Sequence, residues 1–198
     1  MPLISETIRA ELMPAYAAPD RHYHSFAHVE ALIRLAQQHR GALADPDAVE
    51  AAIWFHDAVY DTHRHDNEEK SADLAVDRLK GALAQERLDR IAAMIRATAS
   101  HQLPDFLGTE GARDCALFLD MDLAILGAAK EEYDSYTAAV RREYSWVPEP
   151  LWTEGRRKVL EKFLARATVY TSPQFQVSHE AAARRNIAQE LASLARSQ

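Results

Sequence analysis

His28, the adjacent pair His56–Asp57, and Asp122 are the residues of this chain whose types and spacing can do chemistry. Two imidazoles and two carboxylates form a mixed nitrogen and oxygen donor set of the kind that divalent metals take. The pair ends an apolar run, AIWFHDAVYD, at 52–61. On a helix beginning after Pro46, Val49, Ala52, Ile53, His56 and Asp57 recur at i, i+3, i+4, i+7 and i+8. That spacing is the core-facing stripe of an amphipathic helix. A buried aspartate is costly unless it is paired or bound to a metal.

The elements that must position these residues are all helical. Helices are expected over 4–16, 21–39, from 46 through Asp57, from Glu68 to a stop or kink at Gly81, and over 85–101. Three more are expected over 112–126, 130–144 and 152–168, and a last one over 179–196. Asp61–Asn67 reads as a polar connection, and the segment containing Pro173 as a loop. On the second helix, with Ser25 as a plausible N-cap, His28 shares a face with Ala31, Leu32 and Leu35. On the helix over 112–126, Asp122 is the only charge in the stripe Cys115, Phe118, Leu119, Asp122, Ile125 and Leu126. Asp120 lies on a less complete face with Ala116, Leu117, Leu123 and Ala124. A single inward histidine or aspartate is usually a satisfied structural group. Four such residues on three separate helices point to one cation.

Composition sets the frame. With 47% apolar residues the chain can bury a proper core, which argues against disorder. Gly is scarce and no Asn-Gly or Asp-Gly hairpin signal occurs. The expectation is therefore an all-α, single-domain helical bundle over 1–198 with about eight helices. Its core is expected over 21–127, with the C-terminal helices over 130–196 packed on it. A formal charge of −7 argues against a polymeric nucleic acid as partner but leaves room for one small phosphorylated molecule. The single Cys115 cannot form an internal disulfide and fits a reducing, cytoplasmic setting. The N-terminal segment is amphipathic and carries acids, unlike a signal peptide. No apolar run approaches a membrane span, so no membrane partner is expected. A homodimer is compatible with the chain.

The ordered set His, His-Asp, Asp resembles the HD superfamily of metal-dependent phosphohydrolases. YHSFAHV, FHDAVYD, DNEEKSA and FLDMDLAILG look like a bacterial branch of predicted HD-type hydrolases. The resemblance runs from about Arg21 to Gly127, and EYSWVP at 143–148 extends it with less diagnostic residues. It implies His28 and His56 as histidine ligands, Asp57 as a carboxylate that binds metal and orients water, and Asp122 as the distal aspartate. DMD offers Asp120 as well, but the family's motif and the helix face both favour Asp122. Glu68 matches the glutamate that opens the next core helix in many members. Asn67 stands where many carry a histidine, which argues against a second metal.

The implied reaction is hydrolysis of a phosphoester in a nucleotide or other small phosphorylated metabolite, by water activated at one divalent ion. Mn, Fe, Co, Ni, Zn or Mg each suit the donor set. Asp57 or Glu68 is the expected catalytic base or water-positioning group. Phosphate needs cationic or N–H partners. Arg21, His24, Arg64 and Lys70, close in sequence to the ligands, are candidates to bind it. His101 is a further candidate at the site or as a ligand of a second metal. Arg141, Arg142, Arg156, Arg157 and Arg185 are more distant candidates, for each of which a solvated surface charge is the simpler reading. Two other classes stay open: a di-iron oxygenase of the same fold, which needs more histidines, and a non-enzymatic metal or nucleotide sensor.

Overall fold

The computed structural model describes residues 3–105 and 107–196. Among them are ten α-helices and two short 3-10 segments, with no strand. The chain is all-α as expected, with ten helices rather than about eight. It divides into two compact units, 1–122 and 123–198.

The first unit is built around its third helix. Its helices are α1 (Glu6–Tyr16), α2 (Phe26–Gln38), α3 (Pro46–Phe55), α4 (Asn67–Leu79), α5 (Gln85–Ala97) and α6 (Gly108–Asp122). Asp45 caps α3 by accepting a hydrogen bond from the Ala48 N–H at 3.1 Å, and Pro46 occupies the first turn, where its missing N–H costs nothing. Ala48, Val49 and all of 51–55 are buried. A helix buried over most of its surface belongs in the middle of a bundle, and α3, with only Pro46, Asp47 and Glu50 partly exposed, packs against α2, α4, α5 and α6. Each buried Val, Ile or Phe side chain contributes about 1.5–3 kcal/mol.

The start of α3 is tied to α6 by Asp114. This buried carboxylate accepts the backbone N–H groups of Ala44 and Asp45, both at 2.8 Å. Asp45 is in turn gripped by Arg87 of α5 through two bonds of 2.7 and 2.6 Å. Asp114→Ala leaves the Ala44 and Asp45 N–H groups, which tie the start of α3 to α6, without their acceptor. It should destabilise the protein by about 3 kcal/mol in urea unfolding monitored by circular dichroism.

Several boundaries differ from the sequence expectation, among them the start of α2 at Phe26 rather than at 21 and the span of α8, Glu149–Leu164 rather than 152–168. The helix of the His-Asp pair ends at Phe55, so His56 is its C-cap, with φ −56° and ψ −37°, and Asp57 lies in the following turn. The periodicity overran because side chains from elsewhere take the terminal carbonyls that another turn of helix would have used. Gly81 ends α4 rather than kinking it: with φ +83° it takes the left-handed conformation that a helix stop favours. The helix expected over 85–101 stops at Ala97 and closes in a tight turn. The helix expected over 112–126 begins at Gly108 and tightens into a 3-10 segment, Leu123–Gly127, after Asp122.

The second unit holds that 3-10 segment with α7 (Lys130–Glu143), α8 (Glu149–Leu164), α9 (Pro173–Ser178) and α10 (Glu180–Arg196). α9 falls where a loop was expected, with Pro173 in its first turn. Tyr133, Leu160, Tyr170, Phe175, Ala183 and Ile187 are buried within this unit. Arg156 and Glu190 form a bidentate pair at 2.7 and 3.0 Å, joined by the Tyr136 hydroxyl at 3.1 Å from Arg156 and by the Tyr133 hydroxyl on Glu190. Gly127 is a close approach: a Cβ there would stand 2.7 Å from His179 Cβ and 2.9 Å from its carbonyl oxygen.

Candidate metal centre

α2, α3 and α6 pack on one another in the first unit and deliver one donor each. His28 comes from the first turn of α2, His56 from the cap of α3, and Asp122 from the last residue of α6. Their donor atoms lie within 4.8 Å of one another. His28 Nε2 is 3.3 Å from His56 Nε2 and 3.0 Å from Asp122 Oδ1. Asp57 Oδ2 adds a contact of 3.1 Å to His56 Nε2 and one of 3.9 Å to His28 Nε2. Asp57 stands outside the group of three, against one side of it.

Local hydrogen bonds aim these groups. His56 Nδ1 is 2.8 Å from the Ile53 carbonyl oxygen. A carbonyl only accepts, so Nδ1 carries the proton and the neutral ring presents the Nε2 lone pair to His28 and Asp122. The turn after α3 is held carbonyl by carbonyl. The Tyr16 hydroxyl donates to Trp54 O at 2.9 Å, and the Ala58 N–H donates to Phe55 O at 3.0 Å. The Arg21 guanidinium donates to Asp57 O at 2.6 Å and Ala58 O at 3.2 Å. The Ser71 hydroxyl receives the Val59 N–H and donates to Val59 O. These partners are what stop the helix at Phe55 while keeping His56 pointed inward.

The electrostatics are those of a cation site. Burial opposes a charged imidazole at His56, but the carboxylates of Asp57 and Asp122 outweigh it and push the group up to about 9. Burial likewise opposes ionisation of Asp57, but His56, His24 and His28 hold its carboxyl well below the usual range. Asp122 is held low in the same way, against burial, by hydrogen bonds from His101 and His28. With no metal bound, the folded chain therefore holds a proton at His56 more tightly than the unfolded chain, whose histidines lose it near the ordinary 6.5. That stabilisation is complete below pH 6.5 and is lost as pH rises through about 9. Urea unfolding with a chelator present should thus show falling stability from pH 6.5 to 9.5, and His56→Gln should remove that part of the slope. Metal loading should run the other way. A cation must displace the proton, so apparent affinity should rise about tenfold per pH unit below 9.

The donor set passes a test of fit. Ligand atoms bonded at about 2.1 Å to a shared cation stand about 3–3.4 Å apart; His28 Nε2 meets that spacing to both His56 Nε2 and Asp122 Oδ1, and the third edge, from His56 Nε2 to Asp122 Oδ1, is longer at 3.7 Å. His28, His56 and Asp122 can together hold one metal ion. Asp120 is buried farther back along α6 and is not in the group, so of the DMD pair it is Asp122 that faces the histidines.

The other expected site residues divide. His24 stacks on Tyr60 with ring centroids 4.3 Å apart and meets Tyr23 edge-on at 5.0 Å, and Tyr23 also lies against His28. Polar rings therefore border the histidines. Arg21 is buried and turned to backbone: besides Asp57 and Ala58 it donates to His24 O at 3.2 Å, and it lies over the rings of Tyr16 and Tyr60. Its guanidinium clamps the turn that carries Asp57. Glu68 sits half-buried in the first turn of α4, outside the donor group. Lys70 and Arg64 are exposed and pair with Asp73 and Asp66. Asn67 receives the Asp61 N–H and donates to Asp61 O, so its amide closes the loop before α4.

Sequence reasoning missed the supporting partners. Tyr16, Ser71 and Asp114 act through backbone groups far along the chain, and no spacing rule exposes such pairs. Ser71 alone left a trace, as a small polar residue on the apolar face of α4. No described helix is long and apolar enough to cross a bilayer. No family model matches the chain, and no curated protein or solved structure matches it.

Proposed function

We propose that this protein is a metal-dependent phosphohydrolase of the HD type, acting on a small phosphorylated metabolite or nucleotide with one divalent cation. The observation that carries the reading is the convergence of His28, His56 and Asp122 from three helices, with Asp57 beside them. His28, His56 and Asp122 would hold the ion. Bound there, a divalent cation supplies Lewis acidity, bringing a water toward neutral pKa and drawing charge from a phosphoryl oxygen.

The chain's own residues do the rest. The Ile53 carbonyl keeps the proton of His56 on Nδ1, so the ring acts as a donor rather than as an acid. Asp57, held ionised by its histidine neighbours, is a poor proton acceptor at neutral pH, and its task is to orient the attacking water by accepting its hydrogen bond. The water oxygen forms the new P–O bond, the ester P–O bond breaks, and the departing alkoxide takes up the proton that the attacking water gives up. His24, stacked on Tyr60 and acting electrostatically on Asp57, is the group assigned to donate to a phosphate oxygen at this border. Arg21 keeps the Asp57 turn rigid.

The test is phosphate release over a panel of nucleotides, sugar phosphates and nitrophenyl phosphate, with each of Mn, Co, Ni, Zn and Mg. Metal-dependent release that a chelator abolishes is expected. Stoichiometric metal with no turnover on any phosphoester would favour a binding module instead, and two irons per chain would favour oxygen chemistry.

A further inference from the structure

His101 is the one residue other than glycine with a positive φ, +50°, among the described residues. It ends the turn that follows α5, where its N–H donates to Ala97 O at 2.8 Å. A helix stop of this left-handed kind is normally glycine, because a side chain there is strained. This chain instead places an imidazole at the position, partly buried, with Nε2 2.9 Å from Asp122 Oδ2. The other oxygen of the same carboxylate, Oδ1, is the one 3.0 Å from His28 Nε2. The two oxygens of Asp122 are thus divided between two imidazoles on opposite sides.

We propose that His101 is a positioning residue for the metal centre. Its Nε2–H holds Oδ2 of Asp122 back and fixes the carboxylate plane, so that Oδ1 alone is turned toward His28 and His56. A carboxylate free to rotate would present either oxygen, or both, and would have to be ordered when the cation binds. The strained backbone at position 101 is retained because a glycine, which the turn would accept more readily, cannot reach Asp122. The inference rests on the metal reading of the site and assigns within it a residue outside the donor group of His28, His56 and Asp122.

The experiment compares the wild type with His101→Gly and His101→Gln in two measurements. The first is thermal unfolding of the metal-free chain, and the second is Co2+ affinity by titration. His101→Gly relieves the left-handed strain and gives up the hydrogen bond to Asp122, two effects of opposite sign, so its metal-free melting temperature should stay close to that of the wild type. Its Co2+ affinity should be weaker by about 10–100-fold, the usual loss when a partner of a metal ligand is removed. His101→Gln keeps a donor of similar reach, and it should recover most of the affinity while melting no higher than the wild type. X-ray absorption of the Co2+ forms should count the same number of imidazoles in the wild type and in His101→Gly. Unchanged affinity in His101→Gly overturns the proposal, as does a metal-free form that is no longer folded at the temperature of the titration, which would make His101 a part of the fold. Loss of one imidazole would make it a ligand and overturn the positioning role. A wild type that binds no Co2+ is a separate result, visible before any variant is made, and it removes the metal reading together with this inference.

Discussion

His56→Ala strips the cation from the protein: the expected loss of affinity exceeds about 100-fold, since removing even a partner of a ligand typically costs 10–100-fold. His56 is the most buried of the donors, its Nε2 lies within 3.3 Å of both His28 and Asp57, and its tautomer is fixed by Ile53 O. Its removal leaves His28 and Asp122 as a two-donor remnant with two carboxylates facing each other across the gap. The fold should survive, because the turn is held by Tyr16, Arg21 and Ser71 rather than by the imidazole alone. Equilibrium dialysis measures the affinity, and circular dichroism of the same samples checks the fold. Wild-type affinity in this variant would place the cation elsewhere.

The second large effect separates binding from turnover. Asp57→Asn should lower phosphate release by about a hundredfold, the scale on which misplacing a reacting group by a small distance costs rate. Its metal affinity should stay within about tenfold of wild type, because the three mutually close donors are untouched and an amide oxygen remains beside them. The carboxylate of Asp57 is also the leading group that raises His56. Its loss should bring His56 down toward the ordinary histidine range, so a proton competes less for the site. A shallower pH dependence of metal loading in Asp57→Asn, with turnover gone, is the expected pairing. Turnover that persists near wild-type level would remove Asp57 from the chemistry.

Much of the site was legible from residue type and face. His28, His56 and Asp122 were each the polar exception in an apolar stripe, and such exceptions need partners. The stripe rule also chose Asp122 over Asp120 correctly as the residue turned to the histidines, although the bundle buries both faces of α6. It failed at Asp57, where the helix ends two residues early. Helical periodicity knows nothing of Tyr16 and Arg21, which come from earlier in the chain to take the carbonyls of 54, 57 and 58. Arg21 shows the same competition for backbone carbonyls. A guanidinium close in sequence to a ligand looks like a phosphate partner, yet backbone carbonyls compete for the same five donors and here they hold it. His101 was visible as a histidine near the end of a helix, but its left-handed backbone and its grip on Asp122 appear only in three dimensions. α9 was read as loop because its helix is short and opens on a proline.

The most direct measurement is X-ray absorption at the metal edge of the wild-type protein loaded with one equivalent of Zn2+ or Co2+. Two imidazoles in a mixed nitrogen and oxygen shell, falling to one in both His28→Ala and His56→Ala, is the expected result. A shell of oxygen atoms alone, or one that neither substitution changes, would contradict a centre built from these helices.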